Sequence, residues 1–191
     1  MLKLIKDAIS KSVEVKEQVL QSDYMHKQIQ LVAEACINSL KGGGKIVFCG
    51  NGGSFADAQH LTAEFVSKLN FDREPLASMA LGTNSSNMSA IGNDYGYDKV
   101  FTRELVALCT NKDIFIPIST SGNSLNVIDA IKAAIDKGIF VYGFTGGTGG
   151  IMAELCDCII APSNQTEKIQ EVHIMLGHIL CYIVEKELFK K

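Results

Sequence analysis

Apolar positions along the chain fall into two regimes. Through the first forty residues they recur at helical spacing, first as Leu4, Ile5, Ala8, Ile9, Val13, Val15 and Val19. Ser22 or Asp23 then offers an N-cap, and Ile29, Val32, Ala33, Cys36, Ile37 and Leu40 line one face of a second helix that Gly42-Gly43-Gly44 ends. From residue 45 onward, short continuous apolar runs alternate with amphipathic stretches. KIVFC at 45–49, the run 76–81, DIFIPI at 113–118, IFVYGF at 139–144 and CIIA at 158–161 predict five buried strands. Helices are predicted over 54 to about 69, 85–92, 97–108, 125–137, 151–155 and 165 to about 188. Strands separated by helices predict an α/β fold: a three-layer αβα sandwich around a five-stranded parallel sheet. Right-handed crossovers place every strand-to-helix loop on one edge of that sheet. No linker or repeat interrupts the pattern, so one domain over 1–191 is expected, with a helical pair at 1–41 and the αβα core at 45–191. The apolar faces of the first two helices need cover, from the domain itself or from another subunit.

Composition narrows the function. The 191 residues are 47% hydrophobic, enough for a sizeable core. The net charge is -3 and the lysines are scattered, with the closing Lys190-Lys191 pair too short for a basic tail. A nucleic-acid partner, which would call for a basic stripe, is not expected. No run approaches the roughly 18 apolar residues of a membrane span. The opening MLKLIKD lacks the apolar core of a signal peptide, so a cytoplasmic protein is expected. None of the six cysteines forms a Cys-x-x-Cys pair and four lie within apolar runs, which fits reduced, buried thiols. Cys156-x-Cys158 reads as a strand edge. On a strand both thiols would face one side, which keeps a metal clip as the alternative.

Two of the predicted strand-to-helix loops share a signature. The first is Gly50-Asn51-Gly52-Gly53-Ser54 and the second is Ser119-Thr120-Ser121-Gly122-Asn123-Ser124. Glycines let the backbone approach a ligand closely, and free N–H groups at a helix start favour an anion. The hydroxyls of the second loop add donors for phosphate oxygens. Neither loop holds a lysine, so this is no P-loop, and no nucleotide cofactor is expected. Either loop alone reads as an ordinary polar turn; the two on one sheet edge predict a phosphate-bearing ligand.

The helix after the first loop carries His60 and Glu64, four residues apart and so on one face, beside the proposed anion site. A surface His–Glu pair is the plainer reading of that spacing. The closing helix carries Gln170, Glu171, His173 and His178 among apolar residues, and His173 reads as a satisfied core histidine. Imidazole and carboxylate near a phosphate suit general acid–base work. Moving a carbonyl between adjacent carbons requires a proton taken from carbon, a proton returned, and a proton moved between oxygens through an enediol.

These motifs together resemble the phosphoheptose isomerase family of the sugar-isomerase (SIS) superfamily. The resemblance rests on the first loop, His60 with Glu64, Gly92-Asn93-Asp94, the second loop, and Gln170-Glu171-x-His173 with His178, and it spans nearly the whole chain. It implies a flavodoxin-like SIS fold whose N-terminal helices serve oligomerisation, and a homotetramer with active sites at subunit interfaces. It implies conversion of D-sedoheptulose 7-phosphate to D-glycero-D-manno-heptose 7-phosphate for the heptose of bacterial surface polysaccharide, lipopolysaccharide or capsule. It implies one zinc per subunit held by His60, Glu64, Gln170 and His178. Glu64 and His178 would be the catalytic acid–base pair, with Glu64 the base at carbon. Asn51, Gly52, Gly53, Ser54, Glu64, Asn93, Asp94, Ser119, Thr120, Ser121, Ser124 and Gln170 would hold substrate, with Ser119, Ser121 and Ser124 at the phosphate. Gln170 and His178 lie eight residues apart, about 12 Å along an ideal helix and about 80° apart in direction. One ion takes both only if the helix bends, the side chains reach far, or different subunits supply them.

The chain departs from the family pattern in carrying Lys68 and Lys168 where many relatives carry arginine; lysine keeps the charge and loses the planar fork. The competing reading is a non-catalytic SIS protein that regulates replication initiation by binding another protein. Such a protein needs the serine loops and not the acid–base residues, so the presence of Glu64 and His178 favours the enzyme.

Overall fold

In the computed structural model, which describes residues 1–189, two helices lead the chain: α1 (Leu2–Leu20) and α2 (Asp23–Lys41). The Lys190-Lys191 pair lies outside the described residues. Of the two candidate caps for α2, Ser22 is the one used, its hydroxyl accepting from the Met25 N–H at 3.3 Å. Strand and helix then alternate through β1 (Ile46–Gly50), α3 (Gly53–Val66), β2 (Ser78–Ala80) and α4 (Ser85–Tyr95). A 3₁₀ turn at Tyr97–Lys99 leads into α5 (Val100–Leu108), followed by β3 (Ile114–Ile118), α6 (Leu125–Asp136) and β4 (Phe140–Gly146). The short α7 (Met152–Leu155), β5 (Asp157–Ala161) and α8 (Thr166–Leu188) complete the order. Several expected boundaries shift: α3 ends at Val66 instead of near 69, and β2 covers only Ser78–Ala80 of the run 76–81. The helix expected over 85–92 runs on to Tyr95, because Gly92 sits inside it in open space and the stop is Gly96, at φ +90°. The stretch expected as one helix over 97–108 begins as the 3₁₀ turn.

All strands are parallel, in the order β2–β1–β3–β4–β5. Side chains alternate across a strand, so β1 sends Ile46 and Phe48 to one face and Val47 and Cys49 to the other, all four buried. Burial on both faces is why the strands read as unbroken apolar runs. One core joins β1 and β3 to α2, α3 and α8 through Leu61, Phe65, Val172, Leu176 and Leu180; the other joins them to α5 and α6 through Phe101, Leu105, Val127 and Ile131.

Of α1 only Val19 is buried, while Leu4, Ile5, Ile9 and Val13 stand exposed. Polar contacts tie α1 to α8. The Lys168 ammonium, itself buried, donates to Ser12 Oγ at 2.7 Å and to Glu171 Oε1 at 2.9 Å, and Lys16 reaches Glu171 at 3.2 Å. The Lys168 bond, with Ser12 and Lys16 behind it, holds the Glu171 carboxyl down to about 2. At 168 a compact charge with separate donors therefore serves an α1–α8 joint, without a planar fork. Lys68 makes an exposed 3.8 Å pair with Asp72. All six cysteines are free, and five are buried. No helix among the described residues is long and apolar enough to cross a membrane.

Candidate functional site

The two glycine- and serine-rich loops open from hydrogen-bonded neighbours, β1 and β3, and their helices leave toward opposite faces of the sheet: α3 packs with α8, α6 with α5. Such a divergence leaves a crevice beyond the carboxyl ends of the strands. α3 begins at Gly53 after Gly52, and no side chain caps it. Ser124 precedes α6 and likewise gives its hydroxyl to no helix N–H; it pairs with Ser119 Oγ at 3.1 Å. Both helix starts therefore present N–H groups without a side-chain acceptor, and hydroxyls gather at the second.

The second loop is braced from beneath. Gly122, at φ +67°, lies so close to the Gly149 carbonyl that any β-carbon would collide with it. The Ile151 N–H donates to Asn123 Oδ1 at 3.0 Å and the Met152 N–H to the Gly122 carbonyl at 3.0 Å. Thr120 and Ser121 then form one wall of a cavity of about 250 Å³, faced by Gly147, Thr148, Asn164 and Thr166.

Asn51, expected at the substrate, is also bonded within the protein. Its side-chain amide pairs reciprocally with that of Asn126, both bonds at 2.9 Å, and its Oδ1 also accepts from Tyr97 Oη at 3.1 Å. Asn126 is buried on α6, so this amide pair links the first loop to the helix of the second.

Beside the crevice, α3 and α8 run in the same direction and touch in register. At their starts the Gln170 amide lies against Gly53, where a β-carbon would fall 2.5 Å from Gln170 Nε2. One step on, Gly177 meets Leu61: a β-carbon there would sit 2.6 Å from the leucine methyls. The following residue, His178, reaches His60, with 2.8 Å between the two Nε2 atoms and the rings edge to face. His60 Nε2 also lies 3.4 Å from Glu64 Oε1. His60, Glu64 and His178 each offer a ligand atom within 4.8 Å of the others. The Glu64 side chain is 16% exposed and that of His60 50%, so the cluster is sheltered on one side and open on the other.

Beyond the cluster, Arg73 collects carbonyls from the last turn of α3. It donates to those of Glu64 and Phe65 at 2.8 Å, while its Nε meets Glu185 Oε1 of α8 at 3.0 Å, with both side chains buried. One turn before His60, Asp57 has an oxygen buried without a partner; burial pushes its carboxyl up to about 6, against the pull of His60.

The structure thus brings together His60, Glu64 and His178, and sets Gln170 with Gly53 at the first loop. Gly52 lies in that loop exposed, and Ser54 is buried behind it. Asn93 and Asp94 stand on α4, where Asn93 Nδ2 donates to Asp94 Oδ1 at 2.7 Å, in a shallow crevice with Ser85, Ser86 and Ser89; they bond none of the histidine cluster. His173 is fully buried, with Nε2 2.9 Å from the Thr145 carbonyl and Nδ1 without a partner, and burial lowers its imidazole to about 4, so it is a neutral core residue satisfied on one nitrogen only. Sequence reasoning missed Asn126, Tyr97, Arg73 and Gly177. Of these only Gly177 leaves a signal, since glycine inside an apolar helix calls for a packing reason.

The donors of the cluster, two imidazoles and a carboxylate, are those that zinc takes, and their mutual distances fit one ion. The profile of the SIS domain family matches residues 9–146. The phosphoheptose isomerase of Aneurinibacillus thermoaerophilus is 50% identical over 97% of this chain and 94% of that protein. Among solved structures, a phosphoheptose isomerase from Neisseria gonorrhoeae superposes with a TM-score of 0.91 at 38% identity, over 97% of this chain and 98% of that one. One from Francisella tularensis gives 0.92 at 32% identity over the same shares.

Proposed function

This chain belongs to the phosphoheptose isomerases of the SIS domain family, and we propose from that premise that it converts D-sedoheptulose 7-phosphate to D-glycero-D-manno-heptose 7-phosphate through an enediol, with Glu64 and His178 as its proton carriers. The observation that carries the reading is the junction of α3 and α8, which puts a carboxylate and two imidazoles in one cluster beside two anion-accepting loops. The serine loop holds the phosphate through Ser119, Thr120, Ser121, Ser124 and the N–H groups at the start of α6. Asn51, Gly52, Gly53, Ser54, Gln170, Asn93 and Asp94 hold the sugar, with Asn51 acting through its backbone and through the loop it pins to Asn126. Glu64 takes the proton from carbon 1 of the ketose and returns it at carbon 2. His178 donates a proton to the carbon 2 carbonyl oxygen as the enediol forms and takes one from the carbon 1 hydroxyl as the aldose carbonyl appears.

His60, Glu64 and His178 would hold one zinc ion per subunit, with Gln170 of a neighbouring subunit completing the set, since this subunit's own Gln170 lies against Gly53. Bound there, the ion would act as a Lewis acid on the substrate's oxygens. Elemental analysis of chelator-free protein tests this, and full turnover by metal-free protein removes zinc from the scheme.

The same reading gives a cytoplasmic homotetramer with sites at subunit interfaces, serving surface-polysaccharide heptose synthesis. It is supported by the exposed apolar residues of α1 and by a groove of about 490 Å³ that Val19, Leu20, Ile29, Met175, Ile179 and Ile183 line. An active monomer in sedimentation would refute it. Glu64→Gln and His178→Ala should stay folded and each lose about 10²- to 10⁴-fold in turnover of sedoheptulose 7-phosphate. Wild-type protein that is inert with and without zinc, and that binds a replication protein, would transfer the case to the regulator reading, which the family relationship does not favour.

A further inference from the structure

The Cys156-x-Cys158 pair plays no part in the isomerase site. It lies where the chain enters β5, an edge strand, at the end of the sheet away from the two anion loops. The two Sγ atoms are 3.8 Å apart. A third sulfur joins them. A β-carbon on Gly143 of β4 would fall 2.6 Å from Cys158 Sγ and 2.7 Å from Met152 Sδ, so both sulfurs occupy the space that the glycine leaves open. The backbone of Gly143 also bonds toward both thiols, so all three sulfurs converge on one residue. Met152 and Cys158 are buried and Cys156 is partly exposed, which gives the trio one open side. The hydrogen bond from Cys158 holds the Cys156 thiol below its ordinary value, and the same shared proton, with burial, raises Cys158.

We propose that Cys156, Cys158 and Met152 form a binding site for one soft monovalent metal cation of the cuprous class. Two sulfurs bound at about 2.3 Å to one ion stand about 3.8–4.0 Å apart for tetrahedral to trigonal angles, close to the spacing present before any ion arrives. The donor set selects the ion. Two thiols and a thioether are soft ligands, which suit Cu(I). Zinc draws its ligands from thiolate, imidazole and carboxylate. Among the described residues, the only group of three or more such side chains close enough for one ion is the His60 cluster. Asp157 lies between the two cysteines and, by strand alternation, points to the other face. Binding replaces the shared thiol proton: the ion takes two thiolates and one thioether, and two protons leave to solvent.

The test is an anaerobic titration of the full-length protein with cuprous ion against a chromogenic cuprous chelator. Wild type is expected to hold one ion more than Cys156→Ser/Cys158→Ser. Met152→Leu, of matched size, should lose that ion to the chelator sooner, and Cys156→Ser alone, at the partly exposed sulfur, should lose it with the fold intact by circular dichroism. Any copper taken by the histidine cluster is common to all the proteins and drops out of the difference. X-ray absorption at copper should show sulfur neighbours only for the difference ion, and copper-free variants should turn over sugar phosphate as wild type does. Equal uptake by wild type and the double serine variant overturns the proposal. So do nitrogen or oxygen neighbours at the difference ion, or its displacement by an equivalent of zinc.

Discussion

Gly177→Ala offers a sharp test of the α3–α8 junction, because it acts through one packing contact next to the chemistry. The added methyl would lie 2.6 Å from both δ-carbons of Leu61 and 3.2 Å from its γ-carbon, against the 3.5–4.0 Å of ordinary carbon contacts. Leu61 is 1% exposed and has no solvent to retreat into, so the helices must part by roughly 1 Å or less. Overpacking of this size costs about 1–3 kcal/mol, and removing a glycine from a helix interior returns about 1 kcal/mol. A net loss of about 0–2 kcal/mol in stability follows. Turnover should suffer more. The neighbouring His178 meets His60 at 2.8 Å, and a misplacement near 1 Å costs about 10²-fold in a proton-transfer site. Leu61→Ala in the same chain removes the colliding methyls, so the double variant should be more active than Gly177→Ala and more stable than the two single effects added. Sedoheptulose 7-phosphate turnover and urea unfolding of the four proteins check this. Wild-type turnover by Gly177→Ala, or a loss that Leu61→Ala leaves untouched, would refute the argument.

Asn126→Ala removes both amide bonds to Asn51 and leaves the half-buried Asn51 amide with Tyr97 alone, which should cost about 1 kcal/mol in urea unfolding; it should also raise KM, because the first loop loses its anchor to α6. Arg73→Leu takes the ionic partner from the buried Glu185 carboxylate, which keeps only its bonds from Leu69 and Asn70, and removes a donor from the Glu64 carbonyl; a loss of about 3–5 kcal/mol is expected from the same measurement. His173 stays neutral in the fold with an imidazole lowered to about 4, whereas the unfolded chain takes that proton near pH 6.5. Between those values the unfolded state binds more protons. Stability present above pH 6.5 should therefore fall by up to about 3 kcal/mol as pH drops to 4, and melting curves of His173→Gln should be flatter across that window.

The strands and the places of both glycine- and serine-rich loops were legible in the sequence because their signals are local. A strand buried on both faces is an unbroken apolar run, as at Ile114–Ile118, and a helix start without a cap shows as glycine and serine directly after it. The limits of α4 were misread for a local reason as well: Gly92 looks like a stop and is not one, because a helix tolerates glycine that nothing crowds, while Gly96 has the positive φ that ends it. What stayed hidden is register between elements far apart in sequence. His60 and His178 are separated by 118 positions, and Asn51 and Asn126 by 75. No pattern within either segment encodes which turn of α8 faces which turn of α3. The sequence marks the histidines as candidates; the packing of α8 on α3, Gly177 on Leu61 among its contacts, decides that they meet.

That packing also explains why so much fixed structure lies away from the reacting atoms. Loops can bind a phosphate with some tolerance, since several N–H groups and hydroxyls share one anion. Proton transfer to carbon has no such tolerance. The protein places its carboxylate and imidazoles on two helices in parallel register and fastens those helices on both sides of the cluster. Gln170 sits on Gly53 before it and the Arg73–Glu185 pair closes the far end, with Gly177 on Leu61 alongside. A buried ion pair is a poor source of stability compared with apolar packing. Its use here follows from geometry: Arg73 binds the last carbonyls of α3 and the carboxylate of α8 at once, so sliding either helix breaks bonds at both. The distance between His60 and His178 is therefore set by contacts on either side of it, and in the proposed mechanism the substrate would meet Glu64 and His178 already in place.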